Sequence, residues 1–259
     1  MRKTLIALSV GAALATPILA SADEPAVSAN VTIGSEYIFR GIAQTKGNPT
    51  IQGGFDYALS NGFYVGTWGS NISWLSDQTP GDPATGASAS MEWDVYGGYT
   101  GSISSDLGYD VGILTYNYPG DNLSSGNAKP DTVELYGALT YKWLKAKYSV
   151  TTGSLFGWTK ADGSKTSGSG YLDLSGSYDM GSGLSVGAHL GHQTVSGLSD
   201  ASYTDYGVSV SKDIDKVGTI GLALTGTDAK DSCAAGEAYC FAGYEAGKTA
   251  AVLTFSKSF

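Results

Sequence analysis

The side chains that could carry chemistry are mostly carboxylates, and they recur at every second position of apolar stretches. Glu92 and Asp94, for example, alternate with Met91, Trp93 and Val95. Alternate residues of a strand point to the same face, so such carboxylates share one surface. A surface of one charge sign concentrates the opposite ions near it. The pattern therefore indicates a face that attracts cations.

Catalysis offers fewer candidates. An enzyme that uses a nucleophile needs a base beside it and a group that orients the base. The only histidines are His189 and His192, and no Gly-x-Ser-x-Gly motif stands out. Alternation places His189 on the polar face and His192 on the apolar face, where it is the base candidate for a lipid-acting enzyme. With two histidines and two cysteines, we expect no metal site and no cofactor.

The composition narrows the class of protein further. Charged residues make up 15% of the chain, against about 25% in an ordinary soluble domain. Glycine occurs 37 times and aromatic residues reach 11%, which favours a β-protein. The formal net charge of −9 argues against a nucleic-acid partner, because phosphate binding needs a basic surface. A hydrophobic share of 42% argues against a disordered chain.

The first 22 residues have the three parts of a secretory signal peptide. Arg2 and Lys3 form a basic start, residues 5–19 are apolar and uncharged, and residues 20–22 read Ala-Ser-Ala, a cleavage site. A membrane anchor would need a longer apolar span, near 20 residues. We predict a signal peptide over 1–22 and a mature domain over 23–259.

An exported, acidic chain of this kind is expected in the envelope of a Gram-negative bacterium. Its two cysteines, Cys233 and Cys240, would then lie in an oxidising compartment. They are close in the sequence and no histidine lies near them, so we predict a disulfide that closes a small loop.

Apolar residues recur with a period of two through the mature chain, which predicts strands. The first run, over 27–39, is apolar at nearly every odd position and predicts one strand of more than ten residues. We count twelve strands in all. Their connections alternate between short ones, near 60–62, 100–106, 142–145, 181–183 and 213–216, and long ones, near 41–48, 75–88, 119–130, 159–169, 196–202 and 228–246.

The dipeptide Asn61-Gly62 between two such runs is a strong hairpin signal. A two-residue turn there pairs Leu59 with Tyr64. This register places Tyr64 and Trp68 on the apolar face, and it places the amide of Asn71 on the polar face.

Two folds explain the alternation, a secreted β-sandwich and a membrane-spanning antiparallel up-and-down β-barrel of about twelve strands. Alternating short and long connections favour the barrel. Aromatic residues near the strand ends, among them Trp74, Trp93 and Trp158, would form girdles at the membrane surfaces. The last strand ends in Phe259, a terminal aromatic that outer-membrane proteins generally present to the barrel-assembly machinery. We therefore predict a barrel in contact with outer-membrane lipid.

If the apolar face meets lipid, the polar face lines the lumen. The predicted pore-lining residues are Glu36, Arg40, Gln52, Asp56, Asn71, Glu92, Asp94, Asp110 and Glu134. An open lumen with this excess of acids should favour cations. The alternative is that the charges pair across strands and brace or plug a small barrel, with Arg40 and Glu36 as one structural ion pair. Twelve strands lie between filled eight-stranded barrels and open porins of 16–18 strands.

Residues 37–45, Tyr-Ile-Phe-Arg-Gly-Ile-Ala-Gln-Thr, begin a recognisable pattern that continues with Gln-Gly-Gly-Phe-Asp-Tyr over 52–57 and Trp-Gly-Ser-Asn over 68–71. This pattern resembles the TorF-type putative porin family of Gram-negative bacteria. Ala43 stands where the family usually has serine. The resemblance implies an outer-membrane barrel with a porin role and names no substrate.

Three functions remain open on these grounds. The first is an outer-membrane porin-like channel for passive diffusion of small hydrophilic solutes, with a weak preference for cations. The second is a closed structural or adhesive barrel that acts through its external loops. The third, a lipid-acting enzyme, has the least support. The oligomeric state is left open.

Overall fold

The computed structural model describes residues 25–77, 89–120 and 129–259. The predicted signal peptide lies outside the described residues. No helix within these ranges is both long and apolar enough to cross a membrane. The strands are β1 (Ala26–Gly34), β2 (Ile38–Phe39), β3 (Ile42–Ala43), β4 (Thr50–Ala58), β5 (Phe63–Asn71), β6 (Met91–Ser102), β7 (Leu107–Asn117), β8 (Thr132–Tyr141), β9 (Leu144–Thr151), β10 (Gly170–Gly181), β11 (Leu184–Thr194), β12 (Tyr203–Ile214), β13 (Gly218–Thr227), β14 (Cys240–Phe241), β15 (Tyr244–Glu245) and β16 (Ala250–Ser258). A four-residue helix, α1 (Trp74–Asp77), and a short 3₁₀ turn (Ser199–Ala201) complete the described elements.

Twelve of these strands form one closed antiparallel barrel. Each barrel strand pairs with the next along the chain, and β1 closes the ring by pairing with both β4 and β16. Closure leaves no exposed sheet edge, which distinguishes the fold from a sandwich. The predicted twelve-stranded barrel is therefore confirmed, and the sandwich alternative is wrong.

The strands sort their side chains between two faces with a period of two, as predicted. Large apolar side chains cover the outside, and Val208, Leu222 and Leu253 are each more than half exposed there. Their neighbours along the strands, such as Asp205 and Thr225, point inward and are fully buried. An apolar exterior around a polar interior is the arrangement of a barrel that faces lipid.

The first run departs from its prediction. Strand β1 ends at Gly34, and the following residues leave the barrel wall. Residues 35–49, here called the inner loop, fold into the barrel and carry the small hairpin β2–β3 at their centre. Tyr37 is 1% exposed and packs on Trp68, and Phe39 packs on Tyr116 and Phe156, so these apolar residues predicted for the outer face instead build an interior core.

The register of the hairpin β4–β5 also differs from its prediction. Ala58 pairs with Tyr64, and the backbone of Leu59 bonds to that of Phe63, so the turn holds three residues. The shift of one residue exchanges the two faces of β5. Tyr64 and Trp68 consequently point inward, at 5% and 3% exposure.

The aromatic residues form the predicted girdles only in part. Trp93 and Tyr178 are about half exposed on the outside, as a girdle requires. Trp74 is buried inside the long-connection end of the barrel, where its ring packs against Tyr118 and Phe241. The prediction was wrong for Trp74 because the interior of this barrel contains an aromatic core.

Candidate functional site

The tip of the inner loop is a two-residue turn, formed by Arg40 and Gly41 between β2 and β3. Both residues have positive φ angles, 48° and 77°. This combination defines a type I′ turn, whose twist suits a tight hairpin. A Cβ atom on Gly41 would collide with the side chains of Thr227 and Asp205. Glycine therefore lets the tip of the hairpin lie directly against the barrel wall.

Arg40 anchors this tip across the interior. Its guanidinium donates hydrogen bonds to Oε1 of Gln193 at 2.8 Å and to Oε2 of Glu134 at 2.7 Å. It also lies 4.3 Å from the ring centre of Tyr171, which adds a cation–π contact. Burial alone would lower the pKa of Arg40, but the carboxylate of Glu134 raises it, and the net shift is upward. The buried guanidinium therefore stays charged and ties the tip of the inner loop to strands β8 and β11, which are three apart in the ring.

The acid–base pairing inside the barrel differs from the predicted one. Arg40 pairs with Glu134, whereas the carboxylate of Glu36 accepts hydrogen bonds from the backbone of Gly47 and the hydroxyl of Tyr244. The expectation of an ion pair between Arg40 and Glu36 was wrong. Glu36 fixes the far end of the inner loop and leaves the guanidinium free to reach the barrel wall.

A second carboxylate, Glu92, holds the inner loop to the wall formed by β6. The hydroxyls of Tyr37 and Tyr118 donate to its two oxygens at 3.0 and 3.3 Å. Asp94, two residues further along the same face, is fully buried, and neither of its oxygens has a hydrogen-bond partner among the residues that the structure describes. This part of the interior thus holds one satisfied and one unsatisfied carboxylate.

A long connection closes over the inner loop. Residues 228–249, here called the cap loop, contain the predicted disulfide between Cys233 and Cys240, which is confirmed. The backbone of Ala43 donates to the carbonyl of Ala246 at 2.8 Å. The ammonium group of Lys46 donates to a further cap-loop carbonyl. The cap loop and the inner loop therefore pack as one unit at the long-connection end.

Toward the short-turn end the interior is a network of paired polar groups. The hydroxyl of Tyr96 donates to Asp56, and that of Tyr64 donates to Asp110, both at 2.6 Å. His189 lies between two carboxylates, with ring nitrogens 3.3 and 3.2 Å from acidic oxygens. Among the described residues, the acids that point inward include Asp56, Glu92, Asp94, Asp110, Glu134, Asp173 and Asp205, and the bases include Lys145 and Lys147, together with Arg40 of the inner loop.

Most of the predicted pore-lining residues lie inside the barrel. Gln52, Asp56, Glu92, Asp94, Asp110 and Glu134 point inward from the strands, and Glu36 and Arg40 belong to the inner loop. Asn71 lies instead on the outer face, where its side-chain oxygen accepts from the backbone of Ile51 at 2.8 Å. It does not line the interior, because the shifted register exchanges the faces of β5.

Sequence reasoning missed two interior groups. Gln193 holds Arg40, although nothing in its local pattern marks a contact with a residue so distant in the chain. Lys145 points inward from β9, although it lies within the short connection predicted near 142–145. Lys142 lies in an exposed turn beside Asp106. Strand β8 ends at Tyr141 and β9 begins at Leu144, so the alternation of inward and outward side chains does not continue through residues 142–143.

His192 lies on the outer face, as alternation predicted. Its Nδ1 atom is 3.0 Å from the hydroxyl of Thr204. Among the residues that the structure describes, no group of three His, Cys, Asp or Glu side chains is arranged to hold a metal ion.

The family model described as a bacterial protein of unknown function (Gcw_chp) matches residues 20–259. The chain belongs to this family. A search of curated proteins finds no relative. The resemblance of this Gcw_chp member to the TorF-type putative porin family stays a prediction.

Solved structures show what the fold resembles. A KdgM porin superposes with a TM-score of 0.53 at 9% identity, covering 90% of this chain and 98% of the porin. A KdgM porin in complex with disordered oligogalacturonate gives 0.51 at 10% identity, covering 90% and 97%. An outer-membrane channel from Pseudomonas putida F1 gives 0.46 at 17% identity, covering 93% and 98%. The two KdgM porins show that the Gcw_chp chain has the fold of an outer-membrane porin barrel.

Proposed function

We propose that this protein is an outer-membrane porin-like channel for small hydrophilic solutes, with a weak preference for cations. The observation that carries the proposal is the closed twelve-stranded barrel, which is apolar outside and lined with charged and hydrogen-bonding groups inside. Such a wall suits lipid on one side and hydrated solutes on the other. Export through a signal peptide over 1–22 and assembly through Phe259 belong to the same proposal.

The cation preference rests on the charges of the inner wall. Its acids outnumber its bases, and the guanidinium of Arg40 is already paired with Glu134. A lumen with an excess of negative charge raises the local concentration of cations. For the same reason, an acidic oligosaccharide such as the oligogalacturonate named with one KdgM porin is a poor solute for this barrel.

The inner loop favours a second candidate, a closed structural or adhesive barrel. The loop crosses the interior from Glu36 to Arg40 and is fixed at both ends by hydrogen bonds. A fully plugged barrel would conduct no ions and would act through its long connections. The channel is preferred because the wall near the short-turn end is charged, which a purely structural core does not require. A lipid-acting enzyme has less support, because the base candidate His192 contacts the hydroxyl of Thr204 and not a carboxylate that would orient it.

Planar-bilayer recording of the refolded protein tests the channel. We expect discrete conductance steps, and a salt gradient should give a reversal potential that reports a modest excess of cation current. Asp110→Asn should reduce that excess, whereas Asp215→Asn, in an exposed short turn, should leave it unchanged. A protein that is correctly folded yet silent in the bilayer would support the closed barrel instead.

A further inference from the structure

A cavity of about 50 Å³ lies between the inner loop and several of the long connections, at the long-connection end of the barrel. Eight of its lining side chains are aromatic: Phe39, Trp74, Tyr118, Phe156, Trp158, Tyr203, Tyr239 and Phe241. No charged side chain lines it in the part of the chain that the structure describes. This aromatic pocket therefore differs in chemistry from the acidic wall below it.

One polar group in the aromatic pocket has no partner. The indole of Trp74 is 7% exposed, and its Nε1 donor makes no hydrogen bond within the described chain. A buried donor without an acceptor is unfavourable, and structures seldom retain such a group without a reason. The side-chain amides of Gln44 and Gln193 line the same pocket. A ligand oxygen placed here would accept from the indole.

These features select a class of ligand. A hydrocarbon would leave the indole N–H unsatisfied, and an ion would find no charged partner in the lining. A hydroxyl group can accept from Trp74, and the C–H face of a sugar or polyol can pack on the aromatic rings. Pockets that are largely apolar with a few converging polar groups are typical of small-molecule sites.

We propose that the aromatic pocket binds an uncharged polyhydroxylated solute, a sugar or a polyol, with one hydroxyl oxygen accepting from Nε1 of Trp74. The cavity has room for about four water molecules, so it takes one end of the solute, and the remainder extends through its open side. The role of this binding in transport rests on the proposed channel function. The binding itself does not.

Saturation-transfer NMR on the full protein in detergent micelles tests the binding without any need for conductance. Glucose is the probe, and gluconate is its anionic counterpart of similar size. We expect saturable transfer from aromatic protons to glucose and none to gluconate. Trp74→Phe keeps a ring and removes the donor, so it should weaken glucose binding about tenfold. Trp143→Phe makes the same change on the outer surface, where Trp143 is 48% exposed, and should have no effect.

Phe241→Leu provides a second variant, which removes one ring and keeps the indole donor. It should also weaken glucose binding. Absence of saturable transfer, equal transfer to gluconate, or unchanged affinity in both pocket variants would overturn the proposed site. Conductance without glucose binding would overturn this site and leave the channel, whereas glucose binding without conductance would leave the site and overturn the channel.

Discussion

Arg40 at the tip of the inner loop donates a hydrogen bond of 2.7 Å to Glu134 on strand β8, although 94 residues separate the two in the sequence. The pair is buried on both sides, with side-chain exposures of 8% and 2%. A buried ion pair fixes a unique arrangement more than it adds stability, but loss of one partner leaves an uncompensated charge. This contact sets how firmly the inner loop occupies the barrel.

We expect Arg40→Ala to release the tip of the inner loop. The variant should lose about 3–5 kcal/mol of stability, because Glu134 would remain buried and unpaired. Its single-channel conductance should rise, since the interior is less obstructed. Urea unfolding of the refolded protein and bilayer recording measure the two effects.

Lys142→Ala is the matched control for this change. Lys142 pairs with Asp106 at 3.7 Å, and both side chains are about half exposed. Such a surface pair contributes at most about 1 kcal/mol. If Arg40→Ala behaved like Lys142→Ala in both measurements, the anchoring role of the buried pair would be refuted.

The sequence was sufficient to predict the barrel because most strands have one face toward an apolar exterior and the other toward a polar interior. Where the outside is apolar and the inside is polar, alternation alone assigns the faces, as it does for Glu92, Asp94 and Glu134. The assumption fails where the interior is itself apolar. Trp68 points inward because the ring of Tyr37, from the inner loop, packs on it at 5.5 Å.

The same cause explains the error over the inner loop. Nothing in the local pattern of residues 35–49 reveals that they leave the wall, because buried core and lipid-facing surface select the same apolar side chains. The error in β5 has a different cause, since a two-residue turn at Asn61-Gly62 predicts that its apolar residues face lipid, whereas the observed turn holds three residues. Asn71 was then assigned to the lumen by parity, although its amide bonds to the backbone of Ile51 on the outside.

Gly41→Ala should destabilise the protein by more than backbone strain alone. Gly41 has a φ of 77°, and an added Cβ would also lie 2.6 Å from the Cβ of Asp205. The backbone penalty is about 1–2 kcal/mol, and the steric conflict adds to it by forcing the hairpin from the wall. Thermal unfolding monitored by circular dichroism measures the total loss.

Gly163→Ala isolates the backbone part of that loss. Gly163 has a nearly equal φ of 79°, but an added Cβ would meet nothing within 4 Å. The difference between the two variants therefore reports contact between the tip of the inner loop and the barrel wall. Equal losses would contradict that contact.

Removal of the disulfide should loosen the cap loop and, through it, the inner loop. The bond between Cys233 and Cys240 closes a loop with a sequence separation of 7, worth about 2–3 kcal/mol of constraint. Cys233→Ser combined with Cys240→Ser should make residues 228–249 more sensitive to protease and raise the frequency of open events in the bilayer. The barrel strands should stay resistant.

Wild-type protein treated with a dithiol reductant should match this double variant, because both lack the same bond. Reduction of the double variant should change nothing further. Protease sensitivity that is unchanged by loss of the disulfide would mean that packing of Phe241 and Tyr239 holds the cap loop without it.

Asp94→Asn should stabilise the protein, in contrast to most substitutions of buried residues. Within the described ranges the Asp94 carboxylate has no hydrogen-bond partner, and it shares its face of β6 with Glu92, whose oxygens are both satisfied. A neutral amide of the same shape is easier to bury than an unpaired charge. We expect the free energy of unfolding in urea to rise by about 1–3 kcal/mol at neutral pH.

Asp56→Asn is the control for this change. Tyr96 donates to the Asp56 carboxylate at 2.6 Å, so this variant should instead lose stability, because that hydrogen bond is to a charged group. A loss of stability in Asp94→Asn equal to that in Asp56→Asn would show that the Asp94 charge is compensated inside the barrel.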